Sequence, residues 1–284
     1  MKKSCCILAV VLGVLGLAPA AFALKVSGEW QQGAVIIGEV ESGTIVEYKG
    51  RKLQLTPEGK FVIGLGRDAP AQAMITTITH GKIENHRFVV NARSYDIQRV
   101  EGVPQETVEP SHEQTERINR EAALVASART LDLPLNAFAQ SFHWPLVGPI
   151  SGVYGSQRVY NGVPKTPHFG VDIAMPVGTQ VQAPAAGVVT LVHPDMFLSG
   201  GTLIIDHGHG LSSAFIHLSK ILVNKGDKIS QGQVIALVGK TGRASGPHLH
   251  WAMNWFEERV DPQLLVPPMP TNPIADQAKV PVGK

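Results

Sequence analysis

The sequence predicts a mainly β protein in which a helix links an N-terminal β-sandwich-like module to a second, C-terminal β domain. Short runs of β-branched and aromatic residues, separated by glycine-containing turns, occupy both parts of the chain. One stretch of helical spacing lies between them. About 260 residues follow the predicted export signal, more than one hydrophobic core usually holds, so two domains are expected.

Residues 1–23 have the pattern of a cleavable export signal. Lys2 and Lys3 precede an apolar run over residues 5–17, and Ala-Phe-Ala at residues 21–23 is a small-x-small cleavage site. The apolar run is shorter than the roughly 20 residues that a membrane span requires. We therefore expect an exported protein with no membrane span after cleavage.

Composition directs attention to histidine. Cys5 and Cys6 are the two cysteines and both lie in the signal, so disulfides and thiolate metal sites are excluded from the exported chain. Without Lys2 and Lys3 the chain carries 23 basic and 23 acidic residues, and it has no basic tract of the kind that binds nucleic acid. Its 11 histidines are therefore the main candidates for chemistry.

The N-terminal module is predicted over residues 24–105. Its strand-like runs are punctuated by glycine and by a Pro-Glu-Gly turn, which is typical of a small all-β sandwich. His80 and His86 lie here without ligand-like spacing, so ordinary surface roles are expected. The strand-like runs cover residues 34–37, 44–46, 61–63, 74–78 and 88–90.

A linker and helix are predicted over residues 106–142. A proline-flanked segment at 104–110 precedes Ser111, which with Gln114 fits a capping box at the start of a helix. The helix is expected to end before Pro134. We interpret it as a spacer that packs one face on a domain, with binding of a regulatory partner as the alternative.

The C-terminal domain is predicted over residues 143–266. It contains glycine-punctuated strand runs and no helical repeat of useful length. A proline-rich tail at residues 267–284 is predicted to be disordered. The strand runs cover residues 187–192, 202–205, 214–217, 234–238 and 248–252.

Five side chains of this domain are spaced so that they can converge on one site. His248 and His250 are two residues apart, so in a strand both point to the same face. His168 and Asp172 are four apart and share a face if their segment is extended. With His217, they supply ligands for a zinc ion and spare bases beside it. From spacing alone, either member of the His248–His250 pair can be the metal ligand.

This set suits hydrolysis without a glutamate base. Catalytic zinc takes three protein ligands and leaves a fourth position for water or substrate. Zinc-bound water has a pKa near 7, and histidine, with an ordinary pKa of about 6.5, can accept or return a proton in the same range. The chain lacks the His-Glu-x-x-His pattern of helix-borne zinc sites. His207 and His209 are also two apart, but glycines surround them, so a turn role is expected.

These elements resemble the three motifs of lysostaphin-type zinc metallopeptidases, which cleave peptidoglycan cross-links or stem peptides. The resemblance spans residues 144–266. It implies a compact antiparallel β-sheet metallopeptidase domain with Zn²⁺ bound by His168, Asp172 and His250, and with His217 and His248 as catalytic histidines. The motifs are His168-x-x-x-Asp172, Ala214-Phe-Ile-His217-Leu-Ser219 and Gly246-Pro-His248-Leu-His250.

The resemblance also implies peptidoglycan peptides as substrate, and a bacterial periplasm as location, with secretion to the cell wall as the alternative. A regulatory protein could bind the N-terminal module or the helix. Phe215 stands where many family members have tyrosine, so any contribution of that hydroxyl to oxyanion stabilisation would be lacking.

Three other interpretations compete with a wall hydrolase. A catalytically silent relative would bind and regulate other cell-wall hydrolases, but such relatives lose zinc ligands and here the ligand set is intact. A biotinyl- or lipoyl-type carrier would need a modifiable lysine at the tip of a hairpin between residues 187 and 226, but that stretch contains His207, His209 and His217 and no lysine-centred hairpin. Cleavage of exported proteins rather than of wall peptides is the third.

Overall fold

The computed structural model describes residues 24–100 and 111–270. The predicted signal at 1–23, the whole predicted linker segment at 104–110 and residues 271–284 of the predicted tail lie outside the described residues. Within the described residues, no helix is both long and apolar enough to cross a membrane.

The N-terminal module consists of two small antiparallel sheets with a shared core, as the sequence predicts. Strands β1, β2 and β5 form one sheet, and β4, β3, β6 and β7 form the other in that order. Ile36, Phe61 and Ile75 are fully buried between them. The strands are β1 Lys25–Ser27, β2 Val35–Glu39, β3 Ile45–Tyr48, β4 Arg51–Lys52, β5 Lys60–Gly64, β6 Gln72–Thr79, β7 Lys82–Val89 and β8 Ile97–Val100.

Helix α1 spans His112–Arg129 and begins with the predicted capping box. The Ser111 hydroxyl accepts a hydrogen bond from the Gln114 backbone N–H, and the Gln114 side chain accepts one from the Ser111 N–H. These bonds satisfy two of the otherwise unpaired donors at the helix start. The helix ends before Pro134, as expected.

The C-terminal domain is built around an eight-stranded antiparallel sheet. Its order is β18-β14-β15-β16-β20-β12-β9, with β21 paired to β20, and β13, β19 and β17 form a small second sheet. The strands are β9 Ile150–Gly152, β10 Gln157–Tyr160, β11 Val163–Pro164, β12 Val171–Ile173, β13 Gln180–Gln182, β14 Gly187–Met196, β15 Gly200–Gly208, β16 Leu211–Leu218, β17 Lys220–Ile221, β18 Lys228–Ile229, β19 Val234–Leu237, β20 Leu249–Trp255 and β21 Glu258–Val260.

The two faces of the large sheet have different partners. Because side chains alternate along a strand, Phe215 and Trp251 point to one face, where both are fully buried in the main core. Ala214 and Ala252 point to the other face and belong to a smaller apolar cluster with Ala128 of α1. Helix α1 therefore covers part of the second face.

The N-terminal module packs directly on the C-terminal domain. The rings of Tyr48 and Trp255 are 5.7 Å apart, and Arg93 Nη2 lies 2.9 Å from the buried carboxylate of Asp261. Strand β8 leaves the module and pairs in parallel with β10 of the C-terminal region. The main apolar core therefore continues across both regions, and the domain boundary near residue 105 stays a prediction.

Candidate metal and catalytic site

Asp172 and His250 face each other across two neighbouring strands. They are directly opposite in the antiparallel register of β12 and β20, and cross-strand partners point to the same face of a sheet. The Asp172 Oδ1 atom lies 2.7 Å from His250 Nδ1. The sheet therefore brings together two of the three residues expected to bind metal.

His168 completes the group from the segment that leads into β12. Its Nε2 atom lies 3.1 Å from Asp172 Oδ1 and 3.0 Å from His250 Nδ1. Ligand atoms about 2.0–2.1 Å from a tetrahedral zinc ion are about 3.3–3.4 Å from one another. The two nitrogens and the oxygen are thus almost as far apart as zinc requires, and the donor set fits this metal.

The electrostatics of the group keep the carboxylate charged. Burial acts to raise the pKa of Asp172, but hydrogen bonds from His168 and His250 and their charges hold it well below its usual range. Burial lowers the pKa of His250. Burial acts to lower the pKa of His168, but its hydrogen bond and its charge interaction with Asp172 raise that pKa above the ordinary value. An ionised carboxylate is the form that binds a cation.

A backbone carbonyl fixes the tautomer of His168. The His168 Nδ1 atom lies 3.0 Å from the carbonyl oxygen of Val153, which can only accept a hydrogen bond. Nδ1 therefore donates to this carbonyl, and Nε2 is the atom that faces Asp172 and His250 and that binds a cation once it has lost its proton. Metal-binding histidines are commonly oriented by such a partner.

Two glycines leave space for the ligand side chains. Gly152 on β9 is directly opposite Asp172, and a Cβ atom there would clash with the Asp172 carboxylate. A Cβ atom on Gly170 would lie 2.6 Å from both His250 Nε2 and the carbonyl oxygen of Trp251. The position of Gly170 between His168 and Asp172 was a signal available in the sequence, whereas the clash at Gly152 depends on strand pairing.

His217 reaches the site through an irregular backbone conformation. Its neighbour Ile216 is the residue opposite His250, so a regular strand would direct His217 to the other face. Instead His217 has φ of 63°, a left-handed conformation that costs a residue other than glycine about 1–3 kcal/mol. Its ring centroid lies 4.8 Å from that of His248 and 6.4 Å from that of His250.

Backbone carbonyls also orient the two remaining histidines. The Nδ1 atoms of His217 and His248 lie 2.8 Å from the Thr241 oxygen and 2.9 Å from the Gly246 oxygen, respectively. Both Nδ1 atoms therefore carry the proton in the neutral rings and leave Nε2 unprotonated. Burial lowers the pKa of His217 to about 4, so this ring is neutral at pH 7. The role of Thr241 was not predicted, because nothing marks a carbonyl acceptor site in a sequence.

Phe215 does not lie beside the site. It pairs with Trp251 in the β16–β20 register and is fully buried in the main core, on the opposite face of the sheet. A tyrosine hydroxyl at this position would therefore point away from Asp172 and His250.

The other paired histidines lie outside the site. His209 occupies the turn between β15 and β16, as expected, and its Nδ1 bonds to the Gln54 oxygen 2.9 Å away. His207 lies in β15 rather than in a turn, fully buried and 2.7 Å from both the Ala186 oxygen and Ser213 Oγ. These contacts give His207 a structural role.

Comparison with known proteins assigns this site to a family. The family model of Peptidase family M23 matches residues 166–262, which contain all five side chains. A crystal structure of a Pseudomonas aeruginosa protein assigned to peptidase M23 superposes with a TM-score of 0.66 at 31% identity, covering 84% of this chain and 95% of that one. The chain belongs to peptidase family M23, with a lysostaphin-type domain in its C-terminal part.

Two curated relatives come from Vibrio cholerae. Peptidoglycan DD-endopeptidase ShyA is 48% identical over 89 residues, which is 31% of this chain. Peptidoglycan DD-endopeptidase ShyB is 44% identical over 85 residues, or 30% of this chain. Each match covers 20% of the relative, so the similarity is confined to one part of those proteins.

Proposed function

We propose that this protein is an exported zinc-dependent endopeptidase that hydrolyses peptide bonds of peptidoglycan. The observation that carries the proposal is the convergence of His168, Asp172 and His250, whose donor atoms lie 2.7–3.1 Å apart. His217 and His248 stand beside them, each with its Nδ1 atom on a backbone carbonyl. Membership of family M23 and the similarity to two peptidoglycan DD-endopeptidases support the choice of substrate.

In this proposal His168, Asp172 and His250 hold the zinc ion. The carboxylate contributes the negative charge, and the two imidazoles contribute neutral nitrogen ligands. When bound, the ion supplies a Lewis acid that lowers the pKa of a coordinated water to about 7 and polarises the scissile carbonyl.

His217 is suited to accept a proton from the attacking water. The low pKa keeps its Nε2 unprotonated at neutral pH, and the Thr241 carbonyl holds the ring in place through Nδ1. That carbonyl also stabilises the positive charge that forms when Nε2 takes a proton. His248 presents a second imidazole 4.8 Å away, between centroids, so one histidine can take a proton from water while the other serves the leaving amine.

The proposal places the protein outside the cytoplasm, in a periplasm or in the cell wall. The signal-like sequence at residues 1–23 supports export, and the relatives ShyA and ShyB act on peptidoglycan according to their names. The N-terminal module would position the enzyme on its substrate or cover its groove, since it packs on the C-terminal domain through Arg93 and Asp261.

Digestion of purified sacculi by residues 24–284 tests the proposal. We expect chelator-sensitive release of muropeptides, restored by added zinc, with mass spectrometry identifying the bond cleaved. His217→Ala is the matched control, because it should keep the metal and lose most of the activity. Zinc binding without any cleavage would contradict the proposal and favour a regulator of other wall hydrolases.

A further inference from the structure

The end of helix α1 lies over the same sheet face that carries the proposed metal site. Along β20, His250, Ala252 and Asn254 point to this face in turn. Ala252 packs in one apolar cluster with Ala128. The next helical residue, Arg129, is therefore positioned near the part of the face that lies beyond Ala252.

A row of polar residues crosses the sheet at that level. Ser212 is directly opposite Asn254, and Asn254 is directly opposite Arg259 on β21. Cross-strand partners share a face, so all three side chains lie on the side of the sheet that holds His250. Asp206 continues the row beyond Ser212, but it forms no ion pair with a described arginine.

Several buried polar atoms in this row of residues have no hydrogen-bond partner among the described residues. Asn254 is 0% exposed and Ser212 is 1% exposed. Within residues 24–100 and 111–270, neither amide atom of Asn254, nor Ser212 Oγ, nor the buried Arg129 Nε has a hydrogen-bond partner. Buried polar groups in native proteins are nearly always paired. Asp206 Oδ2 on the same row is also without a partner among the described residues, so five buried polar atoms at this level are free to bind water or a ligand.

Two arginines at this place lack a counter-charge. In the described part of the chain, neither Arg129 nor Arg259 forms an ion pair with a carboxylate. Burial and the nearby charge of Arg259 lower the pKa of Arg129 to about 9, so the Arg129 guanidinium remains charged at neutral pH. Each arginine keeps part of its surface exposed, although Arg129 Nε itself is buried. Together they provide a local excess of positive charge.

Arg259 connects this place to the reaction centre. Its guanidinium carbon lies 5.6 Å from the ring centroid of Phe169, the residue that follows His168. Asn254 follows His250 by four positions along β20, which is about 13 Å of extended chain. A group held by the arginines would therefore lie roughly two to four residues of an extended peptide away from the scissile bond.

We propose that Arg129 and Arg259, assisted by Asn254 and Ser212, form a subsite that binds a free carboxylate of the substrate peptide. The inference rests on the proposed function for the identity of the peptide. Guanidinium groups pair with carboxylates through two parallel hydrogen bonds, and the hydroxyl of Ser212 and the amide of Asn254 add further donors. Arg129 and Arg259 are thus assigned as specificity-determining residues.

Binding of a soluble stem tetrapeptide tests this subsite separately from catalysis. The probe is the peptide with free carboxylates, compared with the same peptide carrying carboxamides, titrated calorimetrically into residues 24–284 in the presence of chelator, where no turnover occurs. We expect the free-carboxylate peptide to bind about 10-fold more tightly or better. Arg129→Gln or Arg259→Gln should abolish the preference.

Arg120→Gln is the matched control, because Arg120 lies on the same helix and is exposed; it should keep the preference. Equal binding of the two peptides to the unmodified protein would overturn the subsite, as would a preference retained in both glutamine variants. In the latter case a loss of thermal stability alone would mark the arginines as structural. A preference without cleavage of sacculi would refute the proposed hydrolase and leave the subsite standing, whereas cleavage without a preference would refute the subsite alone.

Discussion

Replacement of Gly170 by alanine tests whether the metal ligands depend on the space that this glycine leaves. The new Cβ atom would lie 2.6 Å from His250 Nε2 and 2.6 Å from the carbonyl oxygen of Trp251. Ordinary carbon contacts are about 3.5 Å or longer, so His250 or its strand must move by nearly 1 Å. In a well-formed metal site, the distances between ligand atoms and metal stay within about 0.2 Å of their standard values.

Two effects of Gly170→Ala follow from that displacement. Overpacking of this kind costs about 1–3 kcal/mol, which lowers the melting temperature of a chain of this size by about 2–12 °C. Loss of ligand geometry should weaken zinc binding by about 100-fold, the upper end of the effect of removing an outer-shell support. The stability is measured in chelator and the affinity by competition with a chromophoric chelator, so that the two effects are separated.

Gly246→Ala is the matched control for Gly170→Ala. A Cβ atom on Gly246 would meet no other atom within 4 Å, and this glycine lies in the same segment as His248 and His250. Its replacement should therefore leave zinc affinity within about twofold of the unmodified protein. If Gly170→Ala also bound zinc with unchanged affinity, the argument that this glycine clears space for His250 would be wrong.

Three further predictions address catalysis and stability. His217→Ala should keep its zinc and lose about 10²- to 10⁴-fold in the rate of sacculus digestion; an unchanged rate would remove its catalytic role. Burial, with the nearby Asp132, raises the pKa of Asp206 to about 7 from 3.8. The folded state therefore keeps a proton that the unfolded chain has lost between those values, and stability falls as pH rises from about 4 to 7. Asp206→Asn lacks this titration, so its stability relative to the unmodified protein should rise by about 2–3 kcal/mol between pH 5 and 8 in urea denaturation; a constant difference would contradict the assignment. Arg93→Ala should cost about 3 kcal/mol in urea at pH 7, because it leaves the Asp261 carboxylate, 2% exposed, without its partner. Arg87→Ala, at an exposed position, should cost little, and equal costs would refute the role of the ion pair.

Local sequence patterns were sufficient for the elements of the fold. The glycine-punctuated β runs, the capping box at Ser111 and the face shared by His248 and His250 all depend on neighbouring residues, and the fold class is confirmed. Packing between distant segments could not be predicted this way. The parallel pairing of β8 with β10 and the burial of Asp261 against Arg93 require contacts between residues far apart in sequence.

The candidate site shows the same division. The four-residue spacing predicts that His168 and Asp172 reach one site, and in the structure His168 Nε2 lies 3.1 Å from Asp172 Oδ1. The alternation of side chains along a strand does not hold at His217. The left-handed backbone there turns its ring to the same face as His250, whereas regular pairing would place it on the opposite face. Arg129 and Arg259 come from a helix and a strand 130 residues apart, so no local pattern could associate them.

Zinc content measured by elemental mass spectrometry tests the central claim most directly. The protein purified as residues 24–284 should contain about one zinc ion per chain, and His168→Ala should contain almost none, because three ligands become two. Absence of zinc from the unmodified protein, or full zinc occupancy in His168→Ala, would contradict the assignment of His168, Asp172 and His250 as the metal site.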